Sequence, residues 1–184
     1  MTTGPAAASP AAEIARLIDE AIKSGKGLEE DVLNKIANEL TRLFSVKADE
    51  VAILELAPNG AILNFLYPTK LRKVGSIPMS TTNSLAVRTV REKRPEMINN
   101  FPAQKHPTVF ESVALGDAKE AKKEERNPIQ KIMSVPLLVD GKAVGAVQVS
   151  RKGKSPTTAG SDFTIRDLTA LVTTASVLAK CFKK

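Results

Sequence analysis

KIMSVPLLV (131–139) and KAVGAVQVS (142–150) are two β-prone runs joined by Asp140-Gly141. Asp-Gly supplies the positive φ angles that a two-residue hairpin turn demands, so the stretch reads as an antiparallel hairpin. Pro136 has no amide to give to a ladder, and its place inside the first run predicts a bulge or an unpaired position there. Working outward, EVAILELA (50–57) and AILNFLY (61–67) flank Pro58-Asn59-Gly60 and predict a second hairpin. PEMIN (95–99) is a further short strand candidate.

Elsewhere the apolar period is helical. Ile14, Leu17, Ile18, Ala21 and Ile22 predict an amphipathic helix over 12–24, stopped by Gly25 and Gly27. Leu28, Val32, Ile36, Leu40, Leu43 and Phe44 predict a second helix over 28–44, whose acidic start suits the positive end of the helix dipole. A third is predicted over 82–93, with Ser80 and Thr81 as candidate caps. The last begins at Thr164 and Asp167, a capping box, and runs to Phe182 with Leu168, Leu171, Val172, Ala175, Leu178 and Ala179 in its apolar stripe. Between the strand at 95–99 and the hairpin at 131–150 lies a polar connection over 100–127, long for a compact domain and therefore expected to be functional or only partly ordered. The sum is α+β with an antiparallel sheet.

Composition narrows the chemistry. The chain has 184 residues, 42% of them hydrophobic, which is enough for one domain with a core; the organisation expected is a flexible tail over 1–11 and a single domain over 12–184. One cysteine, Cys181, rules out an intrachain disulfide and a multi-cysteine zinc site, and points to a reducing, cytoplasmic setting. With one histidine, His106, no His-rich metal site can form, so no metal is expected. No Ser/His/Asp or Cys/His constellation and no phosphate loop stands out, so a non-enzymatic role is expected. No stretch reaches the roughly 18 apolar residues of a membrane span, and none of the features of a signal peptide opens the chain.

The formal net charge is +7, unevenly placed. Residues 1–50 carry 6 Lys and Arg against 9 Asp and Glu, and residues 51–184 carry 21 against 11. Aromatic residues are 4% with no tryptophan, too few to interleave with the basic residues as single-strand nucleic-acid surfaces require. A solvated basic surface is the expectation, with an anionic effector or acidic partner favoured and Arg88, Arg91 and Arg151 as the cations to meet it.

Three segments resemble the GAF domain family, sensor modules of signalling proteins, and the likeness extends over about residues 12–182. They are Ile77-Pro-Met-Ser80 with the following helix and Arg94-Pro-Glu-Met-Ile-Asn99; Ile132 to Val139 with Val144-Gly-Ala-Val-Gln-Val149; and Ser150-Arg151 with Phe163 and Asp167. The resemblance implies a PAS-like central antiparallel sheet, terminal helices on one face, and a ligand pocket under the mid-domain helix and long loop on the other. It also implies a small-molecule-sensing or regulatory role, with a ligand-free interaction and dimerisation module as the alternative, and a homodimer through the terminal helices acting on an unidentified signalling partner. Ala170, Thr173, Thr174 and Val177 are the small-residue side expected to meet the second copy.

Family branches are distinguished by residues. Cyclic-nucleotide members carry Asn-Lys before the loop and Phe-x-x-x-Asp-Glu after it. Here Ser150, Arg151 and Leu168 replace three of these while Phe163 and Asp167 agree, leaving an expected structural ion pair between Arg151 and Asp167. Cys181 lies on the closing helix, away from where bilin-binding members carry their cysteine, and one thiol cannot run the redox cycle of the free methionine sulfoxide reductases. Haem ligation by His106 is the less favoured reading of a lone loop histidine, and no cofactor is expected. The pocket-lining residues implied are Phe65, Tyr67, Met79, Asn83, Val87, Phe101, His106, Phe110, Ser134 and Gln148.

Overall fold

Strands β1 (Val51–Leu56), β2 (Ile62–Tyr67), β3 (Ser76–Pro78), β4 (Glu96–Ile98), β5 (Ile129–Val139) and β6 (Lys142–Lys152) pair antiparallel in the order β3-β2-β1-β6-β5-β4. This is a computed structural model that describes residues 6–73, 75–103 and 127–183. Both hairpins form as their turns predict, and β6 lies between β1 and β5, joining the two into one sheet. Helices α1 (Pro10–Ser24), α2 (Glu30–Phe44) and α4 (Ile165–Leu178) accompany the sheet, with α3 (Leu85–Glu92) between β3 and β4.

Alternation along the central strands sorts side chains into separate cores. Val51 and Ile53 of β1, Val147 and Val149 of β6, and Met133, Val135 and Leu137 of β5 pack with α1, α2 and α4. The opposite face carries Ala52, Leu54, Leu63, Phe65 and Ala146, which pack against Ala86, Val87 and Val90 of α3. A smaller cluster of Leu85, Ile98, Phe101, Ile129 and Ile132 closes the β4 end. The architecture is therefore α+β, with the terminal helices on one side and α3 on the other. No helix of the described residues is long and apolar enough to cross a membrane.

Several local expectations shift. Helix α1 begins at Pro10 rather than Ala12, because Ser9 caps the Ala12 amide and Pro10 takes a first-turn position where no amide is needed. Helix α3 begins at Leu85, where Ser84 accepts from the Val87 amide; neither Ser80 nor Thr81 is its cap. Pro136 is not bulged but stands opposite Ala146. It lies beyond the end of β4, which pairs with β5 only through 132–134, so the missing donor falls where that edge of β5 has no partner strand among the described residues. The irregularities occur instead beside Gln130 and at Val144, each an extra residue in its strand. On α4, Val172 is exposed, while Thr174 is buried and Ala170 and Val177 pack against the helix-side core. The side expected to be free for a second copy is thus largely used within the chain.

Gly145 carries a close approach that no other residue permits. A Cβ at this position would collide with the Leu54 carbonyl oxygen in the β1–β6 ladder. Gly145→Ala should lower the urea-unfolding free energy by about 2–4 kcal/mol, because backbone rather than a flexible side chain would have to move. An unchanged denaturation midpoint would show that the ladder yields freely.

Candidate functional site

The side of the sheet under α3 holds a buried polar chain. Thr89 donates its hydroxyl to the Leu85 carbonyl at 2.8 Å. The Thr89 and Ser134 hydroxyls lie 2.7 Å apart, and the Gln148 side-chain amide donates to Ser134 Oγ at 3.1 Å. Since the one Thr89 proton goes to Leu85, Ser134 must donate to Thr89, and the bonds run in one direction from Gln148 to Leu85. All three side chains are buried, and Ser134 and Gln148 are register partners on β5 and β6. Gln148 Oε1 is left as an acceptor without a hydrogen bond from any described residue. The small side chains Ala52, Ala86 and Ala146 allow α3 to sit directly on this part of the sheet.

The residues expected to line a pocket divide into groups. Phe65 and Val87 belong to the α3-side core, and Met79 packs partly against it. Phe101 is buried in the neighbouring cluster beside Leu85. Tyr67 is a correction: it packs on the helix side and donates its hydroxyl to the Ala48 carbonyl. The cause is a bulge at Leu66, which puts Ile53 opposite Tyr67 and Leu54 opposite Phe65, so that Phe65 and Tyr67, two apart in sequence, face opposite ways. Asn83 is exposed, and its side chain accepts a hydrogen bond from the Thr82 hydroxyl at 3.4 Å. His106 and Phe110 lie outside the described residues.

The expected Arg151–Asp167 pair is not formed. Asp167 accepts from the Thr164 amide at 2.8 Å, completing the predicted capping box, and this holds its carboxylate at the start of α4. Arg151 turns instead to the end of α2, donating to the Phe44 carbonyl at 3.1 Å with its guanidinium 4.6 Å from the centre of the Phe163 ring. The other cations expected to await an anion are also engaged. Arg88 makes a two-bond pair with Glu96 at 2.8 and 2.7 Å, which raises the pKa of its guanidinium, and Arg91 donates to the Met79 carbonyl. A surface concavity beside them, lined by Arg88, Glu92, Arg94, Pro95 and Glu96, has its charges paired as Arg88–Glu96 and Arg94–Glu92.

Other buried polar residues escape a reading by residue type. Thr89 was detectable from its place three residues after Ala86 on the inward stripe of α3. Lys131 alternates with Met133 and Val135 and so points inward; its ammonium reaches the Gly160 carbonyl at 2.6 Å and Asp162 at 2.7 Å. Buried Glu50 accepts from the Lys47 and Lys152 amides, and nothing in the linear sequence signals that. Cys181 packs against the helix-side core, and burial raises its thiol pKa. Among the described residues no group of three or more His, Cys, Asp and Glu side chains could hold a metal ion.

This arrangement has counterparts of known structure. The GAF domain of an Acinetobacter phosphoenolpyruvate-protein phosphotransferase superposes with a TM-score of 0.60 at 18% identity, covering 95% of this chain and 93% of that one. A methyl-accepting chemotaxis protein fragment, residues 122 to 287, gives 0.58 at 17%, covering 94% of each chain. The type II free methionine-R-sulfoxide reductase of Thermoplasma acidophilum gives 0.57 at 16%, covering 90% and 94%. At these identities the likeness establishes the fold. No curated protein matches the chain. The family model described as GAF domain matches residues 29–182, and the chain belongs to the GAF domain family.

Ser134→Ala removes the middle of the polar chain and strands the Gln148 amide donor beneath α3. The expected loss is about 1–3 kcal/mol in chemical denaturation, the cost of an unsatisfied buried group. Replacing Thr89, Ser134 and Gln148 together by Val, Ala and Leu should cost less than the three single losses added; strict additivity would show that they do not act as a network.

Proposed function

We propose that this GAF domain is a non-enzymatic sensor that takes a small effector on the α3 side of the sheet. The observation that carries the reading is the buried Gln148–Ser134–Thr89 chain, in which Gln148 Oε1 accepts no hydrogen bond from the described residues. An effector bearing an N–H or O–H donor and a mostly apolar body suits such a site. With Arg88, Arg91 and Arg151 engaged by the protein, the preference for an anion expected from net charge loses its support. An effector at Gln148 would press on α3, which packs against Ala52 and Ala146 beside it, and so convert occupancy into movement. A lone thiol whose pKa is raised rather than lowered fits sensing better than redox catalysis, and is compatible with a cytoplasmic setting.

Native mass spectrometry of the purified full chain tests the reading. A recurring small-molecule adduct, lost in Gln148→Leu while the fold is kept, is expected. A bare chain together with no thermal shift across a metabolite screen would sink it and favour an empty interaction module.

Homodimerisation through the terminal helices forms part of the same proposal. Its support is Ile22 on α1 and Ile165 and Val172 on α4, which are large, apolar and exposed. Sedimentation velocity at tens of micromolar should give a dimer that Ile165→Glu with Val172→Glu returns to monomer. A monomer for the unaltered chain at that concentration counts against it.

A further inference from the structure

Four elements meet at one junction beside the sheet, and the contacts there run in series. Helix α3 is tied to β4 by the two-bond Arg88–Glu96 pair. One residue past β4, Asn99 grips Phe163 by its backbone on both sides: its amide donates to the Phe163 carbonyl at 3.0 Å, and its Oδ1 accepts from the Phe163 amide at 2.9 Å. This imitates a strand pair and leaves Phe163 little freedom to turn. The buried Phe163 ring forms the seat of the Arg151 guanidinium, and Arg151 donates to the carbonyl of Phe44, the last residue of α2. A helix end has carbonyls without intrahelical partners, so a cation placed there steadies its last turn. Arg151 Nε is buried without a partner, and no carboxylate among the described residues pairs with this arginine. Its position therefore depends on the Phe163 ring and the Phe44 carbonyl.

We propose that Asn99, Phe163 and Arg151 form a relay that transmits displacement of α3 and β4 to the C-terminal turn of α2. Asn99 and Arg151 are positioning residues in this scheme, and neither needs to touch an effector. The relay is a property of the chain alone and stands or falls apart from the ligand reading.

Hydrogen exchange of the full chain, followed by mass spectrometry, tests the coupling. Asn99→Ala should speed exchange of amides 40–46 by about threefold or more, while amides 14–22 of α1 change by less than about half that factor. An unchanged rate at 40–46 overturns the relay, and so does equal acceleration in α1, which would mean general loosening. The series order is read in an Arg151→Lys background, which keeps the charge but loses the planar stacking. There Asn99→Ala should add little at 40–46; a further acceleration of the same factor would show two independent effects and overturn the proposal. If Arg151→Lys does not fold, Phe163→Leu serves as the background with the same two outcomes.

Discussion

The pairing of β1 with β6 is the constraint on which the rest of this molecule depends. Val51 lies opposite Val149 and Glu55 opposite Gly145, so residues nearly a hundred apart in sequence share one ladder. Without that pairing the chain would hold separate hairpins, each with an apolar face in water; with it, β1, β6 and β5 become central strands with both faces covered. Loop closure over such a distance costs entropy before contacts return it, so the contacts must be many and well fitted. Gly145 serves that need, because the strands could not approach as they do with a side chain there.

Once the sheet has two covered faces, its polar residues have to be accounted for individually. Lys131, in line with Met133 and Val135 on the helix side, holds the loop at Gly160 and Asp162, and Glu50, just before β1, holds the Lys152 amide at the end of β6. On the α3 side the hydroxyls and amide of Thr89, Ser134 and Gln148 satisfy one another beneath a helix that rests on alanines. Polar groups within reach of one another under a short helix are suited to recognition, since exchanging one partner for a ligand atom need not strand the others. The same logic explains the basic surface: much of the positive charge near the junction and around α3 is held by carbonyls and carboxylates of the chain itself.

How far this was legible can be judged from particular residues. Asp140-Gly141 declared its hairpin because a two-residue turn needs positive φ at both positions, and Asp140 and Gly141 adopt it. Thr164 and Asp167 declared the start of α4, since a capping box is closed by residues three apart. Ser134 and Gln148 were recognisable as polar positions in apolar strands. Tyr67 misled, because strict alternation from Phe65 holds only until an extra residue enters the strand, and the bulge at Leu66 is set by pairing with β1. Arg151 misled for a different reason: Asp167 was within sequence reach of the right chemistry, but the cap had first claim on its carboxylate.

Short-range chemistry alone specifies the turns, the Gly25 stop of α1, the Thr164–Asp167 capping box and the apolar periods, and through them the α+β class and its resemblance to GAF domains. Only the tertiary structure decided which face Tyr67 takes, that Arg151 reaches Phe44 and Phe163, and that Thr89 completes a polar chain with Ser134 and Gln148. The division follows from distance along the chain. A turn or cap is closed by neighbours whose identities are read together, whereas a contact across 45 or 107 residues exists only after the sheet has brought its ends into register.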